Sequence, residues 1–382
     1  MRVLNFNRVW PTLTVHREAG DFSMCCAERD LPRGPGYGAR AVRYPGIVEN
    51  YRRTFLWLRD EWATLGLRPP PAPFPVYVFD LTETGNGLPH MFWDGRNSNW
   101  ACALPSGTDK TTKRDELQFL RALAAHEGTH CYCVQQSGFF RGETYLPEPW
   151  HWISEGTAVW MELRLLDRLD RLRSNDALSF SRDWCDYPEE PMLTRGQYQC
   201  GLFMRYLAKR WGETLIARLW TEGTWEDDPW VLIRRLTGRE NLLSDYADEA
   251  YFVGDPGSAC YSPHIAARFH SRALAESVLL DDASAELVVP GDLRDTGTNY
   301  YAVRAYGRTH LSIAFRSDNS MCIATASAAD SKLRRIGGPA VLAPDYREIP
   351  VPEGSDHLVL SITVEPETWV RPAKRNFHIL VK

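Results

Sequence analysis

The stretch Leu117 to Cys133, LQFLRALAAHEGTHCYC, constrains this chain most. It contains H-E-x-x-H: His126, Glu127 and His130. Residues four apart on an α-helix lie one above the other, so a helix here turns both imidazoles the same way. Two nitrogens at that spacing can hold one Zn²⁺, with the intervening glutamate placed to act as a base toward water. Metal as Lewis acid and carboxylate as base are the minimum for hydrolysing an unactivated amide.

The flanks predict that the motif is mid-helix. Thr112 to Asp115 reads as S/T-x-x-acid start chemistry, and Asp115 and Glu116 fall in the first turn, where the helix dipole favours them. Leu117, Leu120, Leu123 and Ala124 recur at helical spacing. Gly138 and the run Gly142 to Pro149 mark the stop and a loop. A second helical stretch follows, Trp150 to Glu162, WHWISEGTAVWME.

The order H-E-x-x-H, then W-[LI]-x-E-G-x-A, resembles the gluzincin branch of the thermolysin-like zinc peptidases. Trp152, Ile153, Glu155, Gly156 and Ala158 carry the second pattern, and Glu155 follows His130 by 25 positions. The resemblance covers roughly residues 75 to 215. It implies Glu155 as third ligand, one Zn²⁺ per chain and an open fourth position. It implies a rim strand at residues 99 to 103, with Asn99, Trp100 and Ala101 pairing with the substrate backbone by β-augmentation. It also implies a helix opening Y-x-x-G at Tyr198 to Gly201, with the Tyr198 phenol steadying an oxyanion. The G-x-M-x-N element of zinc aminopeptidases is missing, so an endopeptidase acting on peptides or proteins is expected. Two rivals stand beside this hydrolase: an inactive zinc-binding scaffold that engages a protein or glycan, and a zinc hydrolase of non-peptide esters or amides.

Other residues bear on the same site. Glu162 can hydrogen-bond a ligand histidine. Relatives carry an acid four positions after the third ligand, where this chain has Val159. Cys133 lies near the face of His126, and His151 one turn before Glu155; burial and aromatic stacking are their ordinary fates. His90 and Arg96 sit in the polar stretch before the rim strand.

A net charge of −5 argues against nucleic acid, and no apolar run is long enough to span a bilayer. The first residues lack the apolar core of a signal peptide. The nine cysteines are odd in number and include no C-x-x-C, which suits a reduced compartment, so the cytoplasm is expected. Oligomeric state is not written in the pattern.

At 382 residues two domains are expected. The fold class reads α+β: a thermolysin-like zincin domain over 1–283, sheet-bearing to about 135 and helical beyond, then a small all-β sandwich over 284–382. Within the first, one or two edge strands precede Ala27 and a loop spans Leu31 to Arg43. Val48, Tyr51, Phe55, Leu58, Trp62 and Leu65 step as an amphipathic helix. Five prolines in Arg68 to Pro75 make a stiff connection to a strand at Val76 to Phe79, and Leu81 to Ser98 reads as turns. Helices are expected at Gln197 to Gly212 and through Leu215 to Tyr251, with breaks near Asp227 to Pro229 and at Gly238. Strands are expected at 285–289, 300–303, 311–315, 357–364 and 378–381.

Overall fold

A computed structural model describes residues 15–18, 22–27, 39–72, 74–79, 90–94, 99–105, 113–136, 138–139, 146–168, 200–252, 276–278, 287–294, 297–305, 307–367 and 374–382. Among them the fold is α+β. Its helices are α1 (Ala39–Leu65), α2 (Lys113–Val134), α3 (Glu148–Arg168), α4 (Cys200–Trp211), α5 (Thr214–Glu222), α6 (Pro229–Thr237) and α7 (Leu242–Tyr251). Two compact units result: Met1–Ser179 with Gly212–Asp227, and Phe180–Trp211 with Asp228–Lys382. Helices α4, α6 and α7 therefore group with the C-terminal strands, although the expected boundary lay at 283.

In the first unit, β1 (Val15–Glu18), β2 (Phe22–Ala27), β3 (Phe74–Phe79), β4 (His90–Asp94) and β5 (Asn99–Pro105) form a sheet in the order β1-β2-β3-β5-β4. The β2–β3 and β3–β5 pairs are parallel; β1–β2 and β4–β5 are antiparallel. Central parallel strands are covered on both faces, so they read as unbroken small and apolar runs. Val76 to Val78 and Ala101 to Leu104 are accordingly buried.

Helix α1 buries the six apolar residues that step by three and four, and it starts at Ala39, inside the expected loop. Helix α2 packs on β5 and against α1. Gly128, within the motif, permits the second contact: a Cβ there would stand 2.6 Å from Leu58 Cδ2 and 2.8 Å from Phe55 Cε1. Helix α3 packs along α2. It is held by Arg164, whose guanidinium lies 2.8 Å from Glu61 of α1, and by Trp160, edge-on to Trp62. Trp150 of α3, Phe139 and Trp220 of α5 form a buried aromatic cluster.

One expectation is corrected here. Strand β5 is not a rim: it lies between β3 and β4, and Trp100 and Ala101 are buried. The strand β4, inside the stretch expected to be turns, pairs Asp94 with Asn99, Trp93 with Trp100 and Phe92 with Ala101. Those three residues thus spend backbone hydrogen-bonding capacity on β4, which takes the sheet edge among the described strands.

In the second unit, β6 (Glu276–Val278), β7 (Leu287–Arg294), β8 (Thr298–Arg304), β9 (His310–Ser317), β10 (Cys322–Ala329), β11 (Ala340–Val341), β12 (Arg347–Pro350), β13 (His357–Val364) and β14 (Lys374–Val381) make two sheets. Their orders are β11-β10-β13-β8-β6 and β12-β9-β14-β7. Leu358, Leu360, Ile362 and Val364 of β13 share one core with Leu311, Ile313, Phe315, Phe377 and Ile379, which makes the pair a sandwich. The opposite face of β13 is covered too. Val359 packs with Tyr251, Phe252 and Tyr300, and Tyr300 Oη donates to the Ala247 carbonyl at 2.8 Å. With both faces covered, every residue of β13 after His357 is buried, Ser361 and Thr363 included.

Asp228 caps α6, accepting from the Trp230 and Val231 amides with Pro229 in the first turn, and Gly238 ends it at φ 65°. These are the breaks expected from the sequence. Helix α7 is clamped to the sandwich at both ends. Arg335 lies 2.6 Å from Asp248 and stacks over Phe252, and the Ser244 amide donates to Glu365 at 2.6 Å.

Burial pushes the Glu365 carboxyl up to about 8, against the pull of the Ser244 and Leu243 amides and Arg234. A carboxyl that binds its proton more tightly folded than unfolded contributes stability at low pH and loses it as pH rises. The window runs from about 4.5 to about 8. Glu365→Gln is expected to flatten the decline of Tm across that window and to raise Tm at pH 8. A variant with the slope of the parent, followed by thermal melts at several pH values, would contradict the assignment.

Candidate metal centre

The helical turn between His126 and His130 sets their rings 4.8 Å apart, centroid to centroid, and nearly perpendicular at 81°. Helix α3 then brings Glu155 to both. Its Oε2 lies 3.1 Å from His126 Nε2 and 3.5 Å from His130 Nε2. Ligand atoms from the three side chains all fall within 4.8 Å of one another, the one such group among the described residues.

The far side of each ring is fixed. His126 Nδ1 meets Glu162 Oε1, and His130 Nδ1 lies 2.8 Å from Ser154 Oγ. With the ring proton on Nδ1, each histidine donates to that partner and keeps the Nε2 lone pair for a metal. Both Nε2 atoms then converge with a carboxylate oxygen, a two-nitrogen, one-oxygen set that fits Zn²⁺.

Without a metal, the same side chains favour a proton on the His126 ring. Burial pulls the His126 ring down, but Glu162 and Glu155 outweigh it and hold its pKa well above the usual value. Burial raises Glu155, but His130 and His126 bring it well below the carboxylate range, so it stays an anion. Burial raises Glu162. Two acidic side chains, Glu155 and Glu162, against two imidazoles favour a cation between them.

Were zinc held by these side chains, Glu162 would fix the Nδ1–H tautomer of His126 and raise the basicity of its Nε2. Glu162→Ala is therefore expected to weaken zinc binding by about 10–100-fold, measured by competition with a chromophoric chelator, while His130 and Glu155 remain. An unchanged affinity would reduce Glu162 to a buried packing residue.

Glu127 is 5% exposed, and its charge is felt by Glu162 and Cys102. Cys133 is buried and outside the ligand group. His151 turns its Nε2 to the Leu146 carbonyl at 2.9 Å. Tyr198 and Arg96 lie outside the described residues, as does the side chain of His90 on β4. Ser154 went unnoticed in the sequence, although its place directly before Glu155 puts it on the same helical turn.

Residues 114–251 match a protein family described as a family of unknown function (DUF6055). That span takes in all three candidate ligands and Glu127. No curated protein matches the chain. Among solved structures, the chain is similar to PliG of Aeromonas hydrophila, a periplasmic lysozyme inhibitor of g-type lysozyme. The identity is 13% over 28% of this chain and 98% of that one, with a TM-score of 0.22. PliG of Salmonella Typhimurium, also titled a periplasmic inhibitor of g-type lysozyme, matches at 12% identity over 28% and 98%, with a TM-score of 0.21. A mutant PliG of Escherichia coli gives the same figures.

Among the described residues no helix is long and apolar enough to cross a membrane.

Proposed function

We propose that this chain is a zinc-dependent metallopeptidase of the gluzincin type, an endopeptidase with a thermolysin-like zincin unit followed by a β-sandwich. The observation that carries the reading is the convergence of His126 Nε2, His130 Nε2 and Glu155 Oε2, with both Nδ1 atoms engaged behind them. Support for the fold comes from the motif helix α2 lying on β5, next to an antiparallel edge strand.

Zinc held by His126, His130 and Glu155 would supply a Lewis acid and bring the pKa of the attacking water to about 7. Glu127 takes the water's proton as its oxygen attacks the carbonyl carbon, and returns that proton to the nitrogen of the departing amine. Tyr198, by the family resemblance, donates a hydrogen bond to the carbonyl oxygen as it gains charge. Strand β4, which takes the sheet edge among the described strands, in place of Asn99 to Ala101, offers backbone groups to an extended peptide.

Purified protein is expected to carry about one Zn²⁺ per chain and to cleave within members of a broad peptide library. Full zinc loading with no cleavage would favour the scaffold reading. Turnover of small esters without peptide cleavage would favour the non-peptide hydrolase.

A further inference from the structure

A pair of thiols outside the proposed chemistry sits between β5 and α2. Cys102 Sγ and Cys131 Sγ are 3.5 Å apart, and both residues are completely buried. Cys102 is on an inner strand, opposite Val76 on one side and Met91 on the other. Cys131 is one helical turn beyond Glu127 and adjacent to His130. Buried cysteine is commonly a small apolar filler, and three other described cysteines, Cys133, Cys200 and Cys322, fit that use. The Cys102–Cys131 pair differs in having its two sulfurs face to face, on elements that pack directly.

We infer that Cys102 and Cys131 are a site of disulfide formation, a redox-dependent staple between the central sheet and the helix that bears the H-E-x-x-H motif. A disulfide needs the sulfurs to approach by about 1.5 Å from their present separation, a movement within reach of small side-chain rotations. The oxidant is a low-molecular-weight disulfide such as oxidised glutathione. One thiolate attacks its S–S bond and expels a glutathione thiolate; the second cysteine thiolate then attacks the mixed disulfide and expels the other. The protein loses two protons and two electrons, and the glutathione disulfide becomes two thiols. Full burial keeps the oxidant away from the folded pair, so the exchange takes place while the chain folds or opens locally. The bond closes a 29-residue loop and removes freedom from the unfolded chain, not contacts from the folded one.

The full chain, unfolded and refolded in a glutathione redox buffer, is compared with the same chain refolded in strong reductant. Expected are a linked Cys102–Cys131 peptide in the digest, two fewer alkylatable thiols, and a Tm higher by on the order of 5–10 °C. Cys102→Ala and Cys131→Ala keep a small apolar group in place and should each lose the redox dependence of Tm. For a chain that does not refold, the same digest on native protein held with oxidised glutathione a few degrees below its Tm gives the answer. Absence of the linked peptide, linkage to another cysteine, or a Tm that is unchanged or lower on oxidation would overturn the inference. None of these readouts depends on zinc or peptidase activity.

Discussion

Glu127→Gln is expected to keep its zinc and lose its turnover. Glutamine preserves the size of the buried side chain, which is 5% exposed, but cannot take a proton. General base catalysis contributes about 10²–10⁴-fold. In the proposed mechanism one carboxylate both activates the water and protonates the leaving amine, so the loss should reach the upper end of that range. Metal content should stay at the parent level because His126, His130 and Glu155 are untouched. The decisive result is the pair of measurements, zinc by elemental analysis and cleavage of one good library peptide. A variant that cleaves as fast as the parent would remove Glu127 from the chemistry.

The second large effect is on metal retention. Glu155 supplies the one carboxylate oxygen near both Nε2 atoms, at 3.1 and 3.5 Å. On the proposed reading Glu155→Ala deletes a ligand and not merely a supporting partner, so its loss of zinc affinity should exceed the ~10–100-fold expected for Glu162→Ala. It also removes the buried anion that would offset the metal's charge. Dialysis of parent and variant against graded chelator should leave the variant empty where the parent is loaded. A variant that holds zinc as tightly as the parent would mean that the third ligand is a different residue.

The side-chain cluster of His126, His130 and Glu155, on which the proposed metal site rests, was partly legible because its logic is local. Two histidines at helical spacing face one way whatever the rest of the fold does. Glu155 was expected there from the family resemblance of a second motif, and the packing of α3 along α2 brings its carboxylate to both histidines. The breaks around Asp228–Pro229 and at Gly238 were equally readable, since capping and positive φ are properties of single residues.

Pairing, in contrast, is non-local. Nothing in Asn99 to Pro105 reveals whether a neighbour lies on one side or both. The neighbour β4 runs through His90–Asp94 in a stretch whose glycines and prolines read as turns. Strand β10, CIATASAA, is half alanine, a residue that favours strands little. It is a strand because eight successive residues pair with β13 and its alanines fit under the opposite sheet. Cys102 and Cys131 are 29 positions apart, and only the packing of α2 on β5 brings their sulfurs together. The sequence by itself determined the shared face of His126 and His130, the helices that carry the candidate ligands and the breaks at Asp228–Pro229 and Gly238, because each depends on spacing along a few turns. Tertiary structure alone decided which strand forms the edge, which helices cover the sandwich and which cysteines meet, because each depends on contacts between residues distant in the chain.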